Sequence, residues 1–211
     1  MRLSEIELNE IEDILLDNFI INGTHSIDKG IVSIDGNCVL DVVVQKLPVK
    51  FGKVSGNFSC ANLGLKTLEN FPMEVGGSVN ISSNTKLTSL NGSPQYIGGT
   101  FRCIATSIVS FEGGPKTVMG SFVASNNNDL ESINGLPEII NGKLNIPFYP
   151  DMPVLKLLLI KMLNEIAFIP PYGDSVLIQR ILNKYVGQGQ KGALQCAMEL
   201  TKAGFKRYAR I

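Results

Sequence analysis

The feature that most constrains this chain is an internal repeat of 21 or 22 residues. Each copy begins with a glycine followed by alternating apolar residues, as in GNFSC, GSVNI, GTFRC, GSFVA and GKLNI. A proline recurs with the same period, and a weaker copy, GNCVL, precedes the others. The glycines are Gly56, Gly77, Gly99, Gly120 and Gly142, and the prolines are Pro72, Pro94, Pro115 and Pro137. Such a period is typical of a solenoid, in which each copy forms one coil and stacks on the next.

Two apolar columns appear when the copies are aligned. The second residue after each glycine is Cys38, Phe58, Val79, Phe101, Phe122 or Leu144, and the fourth is Leu40, Cys60, Ile81, Cys103, Ala124 or Ile146. The positions between these columns are mostly polar. Alternation with a period of two indicates a short strand with one buried face. Stacked copies therefore predict a ladder of parallel strands about 4.8 Å apart.

Each copy also contains a second apolar pair, such as Leu87 and Leu90, which we expect to close the core from the opposite side. Asn62, Asn84 and Asn127 fall near the turn after the predicted strand, and Thr106 takes that place in one copy. Asparagine side chains can satisfy backbone groups in turns, so we interpret these residues as structural.

The ends of an open solenoid need caps, because terminal coils otherwise expose apolar surface. Residues 4–18 have a capping-box pattern at Ser4 and Glu7, which predicts an acidic amphipathic helix, and residues 30–34 predict a strand. The spacing of apolar residues over 154–167 predicts a helix. We expect a second helix capped by Asp174 or Ser175 and a third over 190–203.

The expected fold is therefore α+β. It consists of a leucine-rich-repeat-like solenoid with a parallel strand ladder, an N-terminal amphipathic helix and a C-terminal helical lobe. The predicted divisions are residues 1–35, 36–147 and 148–211.

The cysteines and the single histidine argue against a metal site. Cys60 and Cys103 share a column but lie two coils apart, which is too far for a disulfide, so we expect reduced core thiols. No C-x-x-C spacing is present, and one histidine makes a Cys/His zinc site an unfavourable interpretation. No metal or cofactor is predicted.

Charge is balanced over the chain but not along it. Formal net charge is zero, whereas residues 1–30 sum to −5 (two basic, seven acidic) and residues 152–211 to +6 (nine basic, three acidic). The N-terminus lacks the pattern of a secretory signal, and the most apolar run contains Lys156 and Lys161. We therefore expect a cytoplasmic protein that does not engage a membrane.

The segments LPVKFGKVSGNFSCANLGL, LKTLENFPMEVGGSVNISSN and LTSLNGSPQYIGG resemble leucine-rich-repeat-like proteins encoded by tailed bacteriophages. The ending ILNKYVGQGQKGALQCAMELTKAGF is similar to a helical tail that some of these proteins carry. The resemblance covers roughly residues 20–210 and implies an architecture but no catalytic residues. It also implies the cytoplasm of an infected bacterium and, as the partner, one host protein such as a defence or toxin component.

Three motifs have an alternative chemical interpretation. Residues 187–192, GQGQKG, match a dinucleotide fingerprint, but a helix is predicted before them where the fingerprint requires a strand. The remaining interpretations are a turn between two helices and an anion contact by this turn and Lys191. His25 lies in a stretch predicted as a polar turn, without a patterned acid partner. Residues 126–129, NNND, resemble a cation loop in composition but fall where the coil turns.

We hypothesise a non-enzymatic protein-interaction module, because no nucleophile–base pair, metal set or phosphate loop is evident. The candidate partner-binding residues project outward from the strands, and Arg102 is the expected anchor. They are Ser59, Asn80, Thr100, Arg102, Val123, Lys143 and Asn145. The alternative is nucleic-acid binding through the basic C-terminus. Its candidate residues are Lys202, Lys206, Arg207, Tyr208 and Arg210. The oligomeric state is left open.

Overall fold

The structure is a computed structural model that describes residues 4–210. Its helices are α1 (Glu5–Asn18), α2 (Asp174–Asn183) and α3 (Gly189–Lys202), with 3₁₀ segments at Val154–Leu159 and Lys206–Tyr208. Its strands are β1 (Phe19–Asp28), β2 (Ile31–Leu40), β3 (Lys50–Val54), β4 (Phe58–Ser59), β5 (Glu74–Val75), β6 (Val79–Asn80), β7 (Tyr96–Ile97), β8 (Phe101–Arg102), β9 (Thr117–Val118), β10 (Phe122–Val123), β11 (Ile139–Ile140), β12 (Lys143–Ile146) and β13 (Glu165–Phe168).

The repeats form a parallel β-solenoid with two strand ladders. The first ladder runs β3-β5-β7-β9-β11 and the second runs β4-β6-β8-β10-β12-β13. Strand β2 joins them, because Ile31–Ile34 pairs with β3 and Cys38–Val39 pairs with β4. The predicted α+β solenoid and its second ladder are confirmed. The first ladder, whose short strands directly precede the repeat glycines, was not predicted.

Glycine is required between the two ladders because the coils touch backbone to backbone there. A Cβ on Gly99 would lie 2.5 Å from the Ser78 hydroxyl and 2.8 Å from the carbonyl carbon of Gly77. A Cβ on Gly120 would lie 2.7 Å from the carbonyl carbon of Gly99. These separations are shorter than any van der Waals contact between such atoms. The repeat glycines thus allow the coils to stack at strand spacing.

Both predicted apolar columns are buried. From Cys38 to Leu144 and from Leu40 to Ile146, every member is at most 2% exposed. The copy CIATSIVSFEGG follows the same path as the others, since Ile108 and Phe111 are fully buried. Phe111 packs edge to face on Phe122 of the next coil, with ring centroids 5.2 Å apart. The coils therefore share one continuous core.

Asn84 is fully buried and makes four hydrogen bonds, three of which join its coil to the preceding one. Its side-chain oxygen accepts from the backbone N–H groups of Leu63 and Leu65, and its amide donates to the carbonyls of Cys60 and Ile81. Asn127 makes a similar set two coils later: its amide donates to the carbonyls of Cys103 and Ala124, and its side-chain oxygen accepts from the N–H and the hydroxyl of Thr106.

The prediction that these side chains bond to backbone groups is therefore confirmed for Asn84 and Asn127, with Thr106 as a partner of Asn127, but not for Asn62, whose side chain makes no hydrogen bond within residues 4–210. Asn62 lies one position earlier in the turn and is exposed, with φ 60°. Ser83, Ala105 and Asn126 occupy the same position of their coils with the same left-handed backbone.

The N-terminal end is capped by α1 and a hairpin. The capping box of α1 is confirmed, since Ser4 Oγ accepts from Glu7 N–H and the Glu7 carboxylate accepts from Ser4 N–H. Strand β1, which was not predicted, pairs antiparallel with β2 through a tight turn in which Lys29 and Gly30 have positive φ. The expectation that His25 lies in a turn is wrong, because His25 is in β1. Strand β2 runs without a break through position 36 and so contains residues 31–34 of the predicted 30–34 strand, whereas Gly30 lies in the turn.

The helix predicted over 154–167 is wrong. Residues Val154–Leu159 form a 3₁₀ segment, and Glu165–Phe168 form β13, which pairs in parallel with β12. The open edge of β12 supplies hydrogen bonds that a helix here would leave unmade, and pairing turns Ile166 and Phe168 into the core. The ladder thus extends beyond residue 147, and tertiary pairing overrides the local helical pattern.

Helix α2 covers the outer edge of β13. The Asn183 side chain accepts from Ile166 N–H and donates to Ile166 C=O, both at 2.8 Å, as a neighbouring strand would. Gln179 accepts from Phe168 N–H at 2.6 Å. The second and third helices are confirmed. The N-cap of α2 is Gly173, whereas the Ser175 hydroxyl bonds to the backbone of Tyr172, so the predicted side-chain cap is wrong.

Candidate functional site

The outer face of the sheet is formed by one outward row from each ladder. The second ladder presents the predicted row Ser59, Asn80, Arg102, Val123 and Asn145, with each member beside the next in parallel register. The first ladder adds the row Lys53, Glu74, Tyr96, Thr117 and Ile139. We call these two rows the outer face. The structure therefore brings the predicted row together and adds a second row on the other side of the glycine corner.

Charges at both ends of this region are already paired. Lys53 lies 2.9 Å from the Glu74 carboxylate, and Lys143 lies 2.7 Å from the Glu165 carboxylate. Arg102, by contrast, is exposed, and its side chain forms no ion pair or hydrogen bond within the range 4–210. Its guanidinium is thus free to meet a carboxylate of another molecule.

Tyr96 is the functional candidate that the sequence analysis missed. It lies in β7, in the same coil as Arg102, and is 40% exposed on the outer face. The sequence pattern that could have identified Tyr96 is a second apolar column just before the repeat glycines, formed by Val75, Ile97, Val118 and Ile140. In a strand, the residue before each member of this column points outward. Tyrosine and arginine are the residue types most often found at the energetic centre of protein interfaces.

Thr100 and Lys143, two of the predicted binding residues, already bond to other residues of the chain. The Thr100 hydroxyl accepts from Ser121 N–H at 3.3 Å, and Ser121 Oγ accepts from Lys143 N–H at 3.1 Å. The same contact links Asn57 to Ser78 and Ser78 to Thr100. This row joins adjacent coils at the glycine corner, so Thr100 has a structural role. Asn145 is half-buried, and its side-chain oxygen has no hydrogen-bond partner.

The basic C-terminus is divided between core and surface. Tyr208 is 1% exposed and packs on Phe148, with ring centroids 5.4 Å apart, so its ring is not available to stack on a base. Arg207 lies over the Tyr208 ring and 3.4 Å from the Asp174 carboxylate. Lys202, Lys206 and Arg210 are exposed. Three of the five predicted nucleic-acid residues therefore face solvent as free cations.

The other motifs have structural explanations. Residues 187 and 188 lie in the turn between α2 and α3, and residues 189–192 form the first turn of α3, with Gly187 and Gly189 at positive φ. In the segment 126–129, the Asn127 side chain forms the buried hydrogen bonds described above and is not free to bind a cation. His25 Nε2 lies 2.7 Å from the Glu12 carboxylate, which ties β1 to α1. Over residues 4–210, no group of three or more His, Cys, Asp or Glu side chains could hold a metal ion.

The four thiols are free and buried. Burial raises the pKa of Cys38 and Cys196 to about 12 and also raises the pKa of Cys60 and Cys103. A thiol of raised pKa remains protonated and is a poor nucleophile. The predicted reduced core thiols are confirmed as free cysteines in the core.

The described chain is thus a parallel β-solenoid of about 21 residues per turn, with a helix and hairpin at one end and helices at the other. No family model matches this sequence, and comparisons with curated proteins and with solved structures return no match. Within residues 4–210, none of the helices has the length and apolar character needed to cross a membrane.

Proposed function

We propose that this chain is a non-enzymatic protein-interaction module that binds its partner through the outer face. The observation that carries the proposal is the exposed pair Arg102 and Tyr96 on a rigid surface whose flanking charges are neutralised internally. Strand ladders of solenoids present broad binding surfaces of this kind. Around the pair, Ser59, Asn80 and Thr117 are small or short, which leaves room for a partner side chain to approach.

The resemblance of the repeats to bacteriophage leucine-rich-repeat-like proteins supports a partner from the bacterial host, for example a defence or toxin component. The free cation at the centre of the outer face supports an acidic contact surface on that partner. The setting would then be the cytoplasm of the infected cell.

Substitution of Arg102 tests the proposal. The partner is first captured from bacterial lysate with the tagged protein, at low and high salt and with nuclease present, and is identified by mass spectrometry. Arg102→Glu is expected to weaken its affinity about 30-fold or more, because an interface anchor contributes about 2 kcal/mol. Lys86→Glu, at an exposed turn position away from the outer face, makes the same change in charge and is expected to preserve binding.

Circular dichroism and thermal unfolding of both variants establish that they are folded. If Arg102→Glu folds normally and binds as tightly as Lys86→Glu, the outer face is not the binding site.

Nucleic-acid binding through the C-terminus is the second candidate function, favoured by the exposed Lys202, Lys206 and Arg210. It predicts affinity for single-stranded DNA or RNA that falls steeply with salt and is lost in the Lys206→Glu/Arg210→Glu variant. Capture of a protein partner that survives nuclease and high salt would exclude this function as the main one.

A further inference from the structure

The two ends of the strand ladder differ in whether the edge strand is covered. At the C-terminal end, Asn183 and Gln179 bond to the backbone of β13 and occupy the edge that another strand would use. At the N-terminal end, β1 pairs with β2 on one side, and within residues 4–210 no strand pairs with its other side. Among the same residues, no side chain bonds to the β1 backbone from Ile20 to Asp28. One edge is therefore blocked and the other is open.

The open edge lacks the features that usually prevent strands from pairing. Strand β1 is ten residues long, about 33 Å, and seven of these residues are exposed. From Phe19 to Ile27 it contains no proline, lysine, arginine, aspartate or glutamate. Natural edge strands are generally protected by such residues or are short. An unprotected edge of this length is a template for strand addition.

The charge around this edge selects the occupant. Residues 4–28 contain seven carboxylates and neither lysine nor arginine. Six of the carboxylates are in α1, which packs directly on β1 through Glu12 and His25. The helix thus places negative charge beside β1, and physiological salt weakens but does not abolish its attraction for a cation within about 8 Å. A second copy of the chain would bring its own acidic helix to the same place and be repelled.

We propose that the open edge of β1 binds an extended, lysine- or arginine-rich segment of another protein by antiparallel or parallel strand addition. This surface is separate from the outer face, and neither Arg102 nor Tyr96 takes part. The backbone of β1 would supply hydrogen bonds, and α1 would supply the charge preference.

The test uses a fluorescein-labelled peptide, KTVKTGTKVTK, and fluorescence anisotropy with the full-length protein. We expect saturable binding that weakens with salt. Three control peptides have the same length. One has glutamate at each lysine. The other two have N-methyl groups on alternate residues, one in each frame, so that each backbone edge is blocked in turn. We expect no binding of the glutamate peptide and at least a tenfold loss for one N-methylated frame.

Matched protein variants separate the charge contribution from folding defects. The variant Glu10→Gln/Asp13→Asn/Asp17→Asn removes three exposed carboxylates of α1 and is expected to weaken binding roughly three- to tenfold. The variant Glu112→Gln/Asp129→Asn/Glu131→Gln removes three exposed carboxylates from the turns of the solenoid and is expected to leave binding unchanged. Arg102→Glu is also expected to leave it unchanged, which distinguishes this surface from the outer face.

Amide hydrogen exchange locates the site, with protection on peptide addition expected at residues 19–28. Equal binding of all lysine peptides, methylated or not, would overturn strand addition, as would protection elsewhere or no binding. A concentration-dependent dimer that protects residues 19–28 without peptide would overturn the choice of occupant and assign the edge to a second copy.

Discussion

Asn84 shows how a single residue can stabilise a turn inside an apolar core. Its side-chain amide makes four hydrogen bonds to backbone groups of two adjacent coils, which the tight turns would otherwise leave without a partner. A buried backbone group without a partner costs about 1–3 kcal/mol. The buried polar side chain is therefore a requirement of the coil geometry, although it lies among apolar residues.

Replacement of Asn84 by alanine is expected to lower the free energy of unfolding by about 3 kcal/mol or more, because four backbone groups lose their partner. Urea denaturation of wild type and variant measures the difference. Asn91→Ala is the matched control, since Asn91 is exposed and its side chain makes no hydrogen bond to residues 4–210; we expect a change within about 0.5 kcal/mol. Similar losses in both variants would contradict the structural role of Asn84.

Replacement of Gly99 by alanine is expected to cost about 2–4 kcal/mol, because the new methyl group would overlap the backbone of the preceding coil. Gly204→Ala provides a comparison, since Gly204 has φ +89° but no atom within 4 Å of the added Cβ. We expect about 1 kcal/mol there, from the left-handed backbone alone. Thermal and urea unfolding rank the two variants, and a smaller cost at Gly99 would be inconsistent with stacking at the corner.

At the scale of elements, β13 and α2 end the ladder together. Strand β13 covers the edge of β12, and the side chains of α2 then cover β13. An exposed ladder edge would be free to pair with other chains. The C-terminal helices thus serve as an edge cap as well as extending the core.

The substitution Asn183→Ala is expected to expose the backbone of Ile166 and to lower the free energy of unfolding by about 2 kcal/mol. We expect the opened edge to promote self-association as well, which size-exclusion chromatography with light scattering detects. Gln195→Ala, an exposed position of α3, is the control. A variant that stays monomeric and as stable as the control would show that α2 does not protect the edge.

The sequence predicted those elements whose signal is periodic. The second ladder, α1, α2 and α3 follow from repeated apolar spacing, and the start of α1 follows from its capping box. Strand β1 was not predicted, because FIINGTHSID carries only a partial alternation and most of its residues remain exposed. Residues 154–167 were predicted incorrectly, because the choice between helix and strand depends on the free edge of β12, which no local pattern encodes. The same holds for the site, where Arg102 was predicted but Tyr96 belongs to a ladder whose strands are two residues long.

At the scale of the whole molecule, one core extends from α1 to α3 and contains all four thiols. Protonated thiols in this core couple the stability of the fold to alkaline pH. Their ordinary pKa is near 9, and burial raises the pKa of Cys38 and Cys196 to about 12. Above pH 9 the unfolded chain therefore releases protons that the folded chain retains.

The free energy of unfolding is accordingly expected to be independent of the thiols below about pH 8 and to fall as pH rises above 9. The slope is at most about 1.4 kcal/mol per pH unit for each thiol. Urea denaturation at pH values from 7 to 10.5 measures the slope. The variant Cys103→Ala removes one thiol and should reduce the slope, and the same apolar column already contains an alanine, Ala124. Rapid reaction of the native protein with a thiol reagent at pH 8 would be incompatible with this picture.

The hydrogen bonds of Asn84 and Asn127 have a consequence for how the length of this protein could change. Each asparagine serves its own coil and the one before, and the two asparagines are 43 residues apart. The modular unit is therefore a pair of coils. A duplication or deletion of 43 residues would keep each asparagine coil next to a coil without asparagine and change the length by two strand spacings, about 10 Å. A change of one coil would place two asparagine coils, or two coils without asparagine, side by side.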